Sequence, residues 1–157
     1  MNQTNVALKE RIAIGSDEAG YPLRERVERH LRALGYQVDD YGSTSSDDKM
    51  DYPDVAVAVA QRVARGDYGR AILVCGTGIG MAIAANKVPG VRAAQAADTY
   101  SAERARKSNN AQVLALGSRT LGQESALSIV DHWLASEYEG GRSAPKVAKL
   151  EDLDRGR

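Results

Sequence analysis

Five short strand-like segments, at residues 11–15, 37–41, 70–75, 91–94 and 113–116, alternate along the whole chain with stretches of helical periodicity. A strand as short and apolar as 71–74 is buried on both faces, and the helices between the segments are long enough to serve as crossovers, which run right-handed between parallel strands. The pattern predicts an α/β fold: a doubly wound, Rossmann-like five-stranded parallel sheet with helices on both faces. Leu23, Val27, Leu31 and Leu34 share one face of a first helix that ends at Gly35, a C-cap residue. After a polar loop at 42–52, Pro53 suits the first position of a helix on which Val55, Val59 and Val63 share a face. Further helices are expected at 81–87, 100–107 and 122–136. Beyond Gly140-Gly141 comes a charged helix at 144–153 with no evident place on the sheet, a candidate for docking on another subunit. Residues 1–10 read as an N-terminal extension and 152–157 as a frayed tail, so 1–157 is expected to form one domain.

The 157 residues are 43% hydrophobic, enough for one domain with a real core. The 21 basic and 21 acidic residues cancel, so the chain lacks the broad positive field of nonspecific nucleic-acid binders, and no nucleic-acid partner is expected. No stretch approaches the roughly 20 apolar residues of a membrane span, and the start of the chain lacks the apolar core of a signal peptide. With a single cysteine no internal disulfide can form, and a reduced, cytoplasmic protein is expected.

That cysteine stands in Ile72-Leu-Val-Cys-Gly-Thr-Gly-Ile-Gly80, at the carboxyl end of the third strand, where open α/β sheets bind ligands. Gly76, Gly78 and Gly80 permit close backbone approach, and a helix starting near Gly80 adds its dipole and unpaired N–H groups. A thiol reacts as thiolate, and such a loop welcomes negative charge, so Cys75 is a candidate base or nucleophile. The alternative is a buried cysteine acting as a small hydrophobe. The loop is neither a dinucleotide fingerprint, which needs G-x-G-x-x-G after the first strand, nor a P-loop, since no Gly-Lys-Ser/Thr triplet occurs.

The loops after strands one, three, four and five are expected to meet at one rim, bringing Asp17, Glu18, Cys75, residues 98–100, Ser118 and Arg119 within reach of one ligand. Individually these residues have plainer readings. Asp17 suits a helix cap or turn, and Arg119 suits a solvated loop.

Taken in order, Gly15-Ser-Asp-Glu-Ala-Gly20, Asp51-Tyr-Pro53, Cys75-Gly-Thr-Gly-Ile-Gly80, Ala84-Ala-Asn-Lys87, Tyr100-Ser-Ala102, Asn109, Gly117-Ser-Arg119 and Tyr138-Glu-Gly-Gly-Arg142 resemble the ribose-5-phosphate isomerase B family, which includes galactose-6-phosphate isomerase subunits. The likeness runs from about 11 to 146. It implies a sugar-phosphate aldose–ketose isomerase that works through a cis-enediolate without metal or cofactor. It further implies a homodimer, in some cases paired into a tetramer, with sites between subunits. By position, Cys75 matches the base that moves a proton between the first two carbons. Backbone N–H groups of Gly76, Gly78, Ile79 and Gly80 are suited to the charged oxygen. Thr77 and Asn86 match positions near the reacting oxygens and loop, and Tyr52 and Asn109 match positions lining the sugar. Arg142 matches a phosphate-binding arginine, and Arg119 is a second candidate. Lys146 stands where many members carry another arginine, keeping the charge but losing the bidentate fork.

Two positions depart from the pattern: Glu18 and Ser108 stand where many members have histidine. The chain's two histidines, His30 and His132, fall on predicted helices away from the rim. In the family the histidine matched by Ser108 is associated with opening a furanose ring, a step that needs acid–base help. A tetrose 4-phosphate cannot close that ring. The stretch Asp98-Thr-Tyr-Ser-Ala-Glu-Arg104 followed by Ser108-Asn-Asn-Ala-Gln112 resembles members associated with tetrose phosphates. The nominal reading is interconversion of ribose 5-phosphate and ribulose 5-phosphate, with Asp17 and Glu18 opening the ring; the alternative is interconversion of erythrulose 4-phosphate and erythrose 4-phosphate. From other classes, a phospho-receiver domain needs an aspartate where Cys75 stands and a lysine near Ser118. A catalytically inactive sugar-phosphate sensor stays open.

Overall fold

Side chains along the central strands alternate between two apolar layers, and the alternation explains the architecture. In the computed structural model, which describes residues 10–156, the strands are β1 (Arg11–Ser16), β2 (Gln37–Asp40), β3 (Ala71–Cys75), β4 (Ala93–Gln95) and β5 (Val113–Gly117). All pair in parallel, in the order β2-β1-β3-β5-β4. Ile12, Ile14, Ile72, Val74, Leu114 and Leu116 face one layer, which α1 (Tyr21–Ala33), α4 (Thr99–Lys107) and α5 (Gln123–Leu134) complete with Leu23, Val27, Leu31, Ala102, Ile129 and Trp133. The smaller Ala13, Ala71, Cys75 and Ala115, with Leu73, face the other, under α2 (Tyr52–Ala64) and α3 (Ile79–Ala85). A short 3-10 turn, Gly141–Ser143, leads into α6 (Ala144–Arg155), whose one buried residue is Val147.

From β1 the chain winds outward to β2, then crosses back past β1 to β3. The direction reverses between β1 and β3, whose register sets Ser16 beside Val74. In an open α/β sheet such a reversal leaves a crevice at the carboxyl ends of the two strands. The first residue beyond β1 is Asp17, and the last of β3 is Cys75.

Several boundaries differ from those expected. Leu34 caps α1 rather than extending its buried face, and is 37% exposed. The helix stops here because Gly35 takes a φ of +92°. α3 starts two residues early because Gly78 turns left-handed and the N–H of Ile79 reaches Thr77 Oγ1 at 3.2 Å. β4 is Ala93–Gln95, not 91–94, since Val91 N–H closes a turn on Val88 and Arg92 N–H is taken by Gln112 Oε1 at 2.8 Å. Arg70 donates to the carbonyls of Trp133 (3.1 Å) and Leu134 (2.9 Å), which ends α5 before 136. Residues 152–155, expected to fray, continue α6, and Asp154 accepts the N–H of Gly90 at 2.9 Å. Apart from Glu10, the N-terminal extension lies outside the described residues.

The crevice depends on one close approach. A Cβ on Gly20 would stand 2.2 Å from the carbonyl oxygen of Val74, so only glycine lets the start of α1 lie against the end of β3. Gly20→Ala is expected to cost at least the ~1–3 kcal/mol typical of overpacking and to lower the thermal midpoint, with loss of order at the crevice; a calorimetric scan checks this.

Candidate active site

The loop after β3 wraps its own sulfur. Cys75 is buried, and its Sγ accepts the N–H of Gly78 at 3.1 Å. This donor is aimed by a left-handed residue: Gly78 has φ of +78°, and a Cβ there would also press on the Leu116 carbonyl carbon at 2.9 Å. Thr77, whose hydroxyl accepts from Ile79, starts α3 from within the loop. Two hydrogen bonds stitch this loop to the one after β5, from Ser118 N–H to the Cys75 carbonyl and from Arg119 N–H to that of Gly76, each 2.9 Å. Arg119 thereby lies over Gly76. The hydroxyl of Ser118 is taken up by the carbonyl of Ala19 at 2.6 Å, so Ser118 anchors the first loop rather than facing a ligand.

Asp17, Ala19, Tyr52, Cys75, Gly76, Thr77, Ile79, Gly80, Ile83 and Arg119 line one cavity of about 420 Å³. Tyr52 lies across Gly80, where a Cβ would meet its ring at 2.6 Å. Asp17 serves both readings of its sequence position. One oxygen accepts the Gly20 N–H at 2.9 Å in the turn before α1, and the residue also lines the cavity. Burial holds its carboxyl above the ordinary value, and neighbouring Glu18 pushes the same way, against the Gly20 and Ala19 N–H groups and the charge of Arg119. Glu18 is not among the lining residues; its carboxylate accepts the N–H of Met50 at 3.2 Å.

Other expected residues gather elsewhere. Ser108, Asn109, Arg142 and Lys146 line a second cavity of about 470 Å³ with Ser143, Val147 and Leu150, which shares no residue with the first. Its polar groups are a guanidinium, an ammonium, an amide and hydroxyls. Arg142 reaches it through Gly140 and Gly141, both at positive φ, while Glu139 N–H bonds the Lys107 carbonyl at 3.2 Å, holding this arm beside Ser108. Asn86 shares a further cavity, of about 370 Å³, with Asn109, and its amide donates to the Ala93 carbonyl (2.9 Å) and accepts the Ala93 N–H (2.8 Å). The expected contribution of residues 98–100 is corrected, because β4 is the edge strand. There Asp98 caps α4 through the Ser101 N–H at 2.6 Å, and Tyr100 is exposed. His30 pairs with Asp131 and His132 with the Ser128 carbonyl, both on helices α1 and α5 away from these cavities. Ile83 lines the Cys75 cavity without any sequence signal to mark it, and Ala19 does so from within the segment Gly15-Ser-Asp-Glu-Ala-Gly20.

A buried thiol under one aimed N–H group, a carboxyl with raised proton affinity and an arginine at a sheet switch point suit proton transfer beside a carbonyl in an anionic substrate. The comparisons agree. The ribose/galactose isomerase family profile matches residues 12–150. The chain is 53% identical over 139 residues to the D-erythrulose-4-phosphate isomerase of Pectobacterium atrosepticum, covering 88% of this chain and 91% of that one. It is 49% identical over 144 residues to the ribose-5-P isomerase B of Listeria innocua, covering 92% and 97%. The ribose-5-phosphate isomerase B structure from Clostridium thermocellum superposes with a TM-score of 0.90 at 44% identity, over 93% and 98% of the two chains. The fold and site therefore define a sugar-phosphate aldose–ketose isomerase. The chain belongs to the ribose/galactose isomerase family that contains ribose-5-phosphate isomerase B.

The environment of Asp17 sets a pH signature. Because the fold raises its proton affinity, Asp17 contributes stability in full only below the ordinary value of 3.8, and that contribution is lost as pH rises through its higher folded value. Asp17→Asn, permanently neutral and still able to accept from Gly20, is expected to melt above the native protein at pH 7, the difference vanishing below pH 3.8. Melting curves from pH 3 to pH 8 check the crossover.

Proposed function

We propose that this isomerase interconverts erythrulose 4-phosphate and erythrose 4-phosphate. One observation carries the choice of a tetrose: the cavity holding Ser108 contains no imidazole and no carboxylate. A pentose 5-phosphate is mostly cyclic, and opening its ring calls for a positioned acid and base. In a tetrose 4-phosphate the oxygen that would close a five-membered ring is esterified, so the carbonyl is already free. The Pectobacterium relative supports the same choice. The ribose 5-phosphate reading is favoured by the Listeria relative and by the Clostridium structure. It then rests on Asp17 and Glu18 for ring opening, and Glu18 is engaged with Met50.

In the proposed reaction the sulfur of Cys75 takes a proton from the first carbon of the ketose. The electron pair of that C–H bond forms the carbon–carbon double bond of a cis-enediolate, and the carbonyl electrons move onto oxygen. The N–H groups of the loop 76–80 other than those of Gly78 and Ile79, which are taken by Cys75 Sγ and Thr77 Oγ1, stabilise that oxygen, each such donor contributing roughly 3–4 kcal/mol to lowering a barrier of this kind. Thr77 and Asp17 serve the hydroxyl protons, and the thiol returns its proton to the second carbon, giving the aldose. Arg142, Lys146 and Arg119 hold the phosphate, and Tyr52 and Asn109 the carbon chain.

NMR in deuterium oxide tests the substrate, with ribose 5-phosphate and erythrulose 4-phosphate offered in parallel. Deuterium is expected to enter beside the carbonyl faster with the tetrose, and Cys75→Ala to slow it by about 10²–10⁴-fold while ligand still binds. Faster turnover of ribose 5-phosphate sinks the tetrose reading, and exchange with neither sugar sinks both.

A homodimer fits the separation of the two cavities, with Cys75 of one subunit meeting Ser108, Asn109, Arg142 and Lys146 of the other. Mixing inactive Cys75→Ala with inactive Arg142→Ala, followed by subunit exchange, is expected to restore part of the activity. No recovery, with mixed dimers demonstrated by mass spectrometry, contradicts shared sites.

A further inference from the structure

Glu18 is the acidic residue beside the site that the reaction above does not use, and its contact has a long reach in sequence. Its Oε2 accepts the N–H of Met50, 32 residues away, at the end of the irregular segment 42–51. That segment is fastened at its start: Ser43 N–H bonds the Ser16 carbonyl at 2.8 Å, and buried Arg24 donates to the Ser43 carbonyl at 3.2 Å. In its middle it closes on itself, Thr44 donating from N–H and hydroxyl to Asp48 Oδ2 at 2.8 and 3.0 Å. At its far end the Met50 side chain packs against the core layer under α2, and the chain enters α2 at Tyr52. There the bond to Glu18 joins Met50 to the first loop, and Tyr52 follows two residues later with its ring over Gly80.

We propose that Glu18 is a positioning residue: its carboxylate pins Met50, so that Tyr52 stays across Gly80 at the mouth of the Cys75 cavity. The backbone N–H of half-buried Met50 finds its acceptor here in a carboxylate, which can accept along either oxygen. The proposal concerns the same cavity and rests on the isomerase reading only for its kinetic readout.

The test uses Glu18→Ala and Glu18→Gln in the full chain. Hydrogen–deuterium exchange at the Met50 amide is expected to quicken in the alanine variant. KM for erythrulose 4-phosphate is expected to rise about tenfold, the scale of one charged hydrogen bond, with kcat near the native value. Glutamine, which keeps an acceptor, is expected to restore most of both. Unchanged exchange at Met50 in Glu18→Ala overturns the contact. Quickened exchange with KM and kcat both unchanged overturns its bearing on the site. A fall in kcat at constant KM makes Glu18 an acid or base instead. Exchange is read without substrate, so the result stands even where the tetrose reading fails; KM is then read on ribose 5-phosphate.

Discussion

The pairing of β1 with β3 is the constraint on which the site depends. Because those strands lie side by side while the chain winds away from them in opposite directions, their ends open a crevice. A carboxyl and a thiol 58 residues apart in sequence enter it without strain in either strand. The surrounding loops then cross-brace each other: Ser118 holds Ala19, the backbone after β5 holds the backbone after β3, and Gly20 rests on Val74. A reacting group needs such bracing, since displacement by an ångström costs orders of magnitude in rate.

The layers of the core divide the labour. Large branched residues from β1, β3 and β5 meet α1, α4 and α5, and Trp133 fills that side. The opposite side is mostly alanine and valine, with Leu73, Met81, Tyr68 and the sulfur of Cys75 among them, so α2 and α3 approach closely and the short helix α3 can stand directly on the reactive loop. The thiol belongs to a packed layer and to the crevice at once. Its packing is that of a small hydrophobe, and its place on the cavity is what the proposed reactive role draws on.

The fold was legible because burial on both faces leaves an uninterrupted apolar mark, as at 71–75, and because Gly35 and Pro53 punctuate the helices. Strand order leaves no such mark. The sequence therefore grouped residues 98–100 with the site, although β4 lies at the sheet edge, and it could not show that the cationic cavity is separate from Cys75 within one chain. Asn86 and Glu18 were legible as polar residues in significant places, but each is engaged by a main-chain N–H beyond its own element, that of Ala93 across the turn after α3 and that of Met50 much farther along the chain. Partnerships of that kind follow from the final packing, not from local pattern. The end of α6 was misread for the same reason, its tie to Gly90 being remote.

The amide of Asn86 has a consequence of another sort. By taking both the N–H and the carbonyl of Ala93, it serves as a one-residue imitation of a neighbouring strand along the outer border of β4. Exposed strand borders invite other chains to add themselves, the first step of disordered association. With this border occupied from within, the molecule can keep a short, alanine-rich outer strand while denying it as a template for sheet growth.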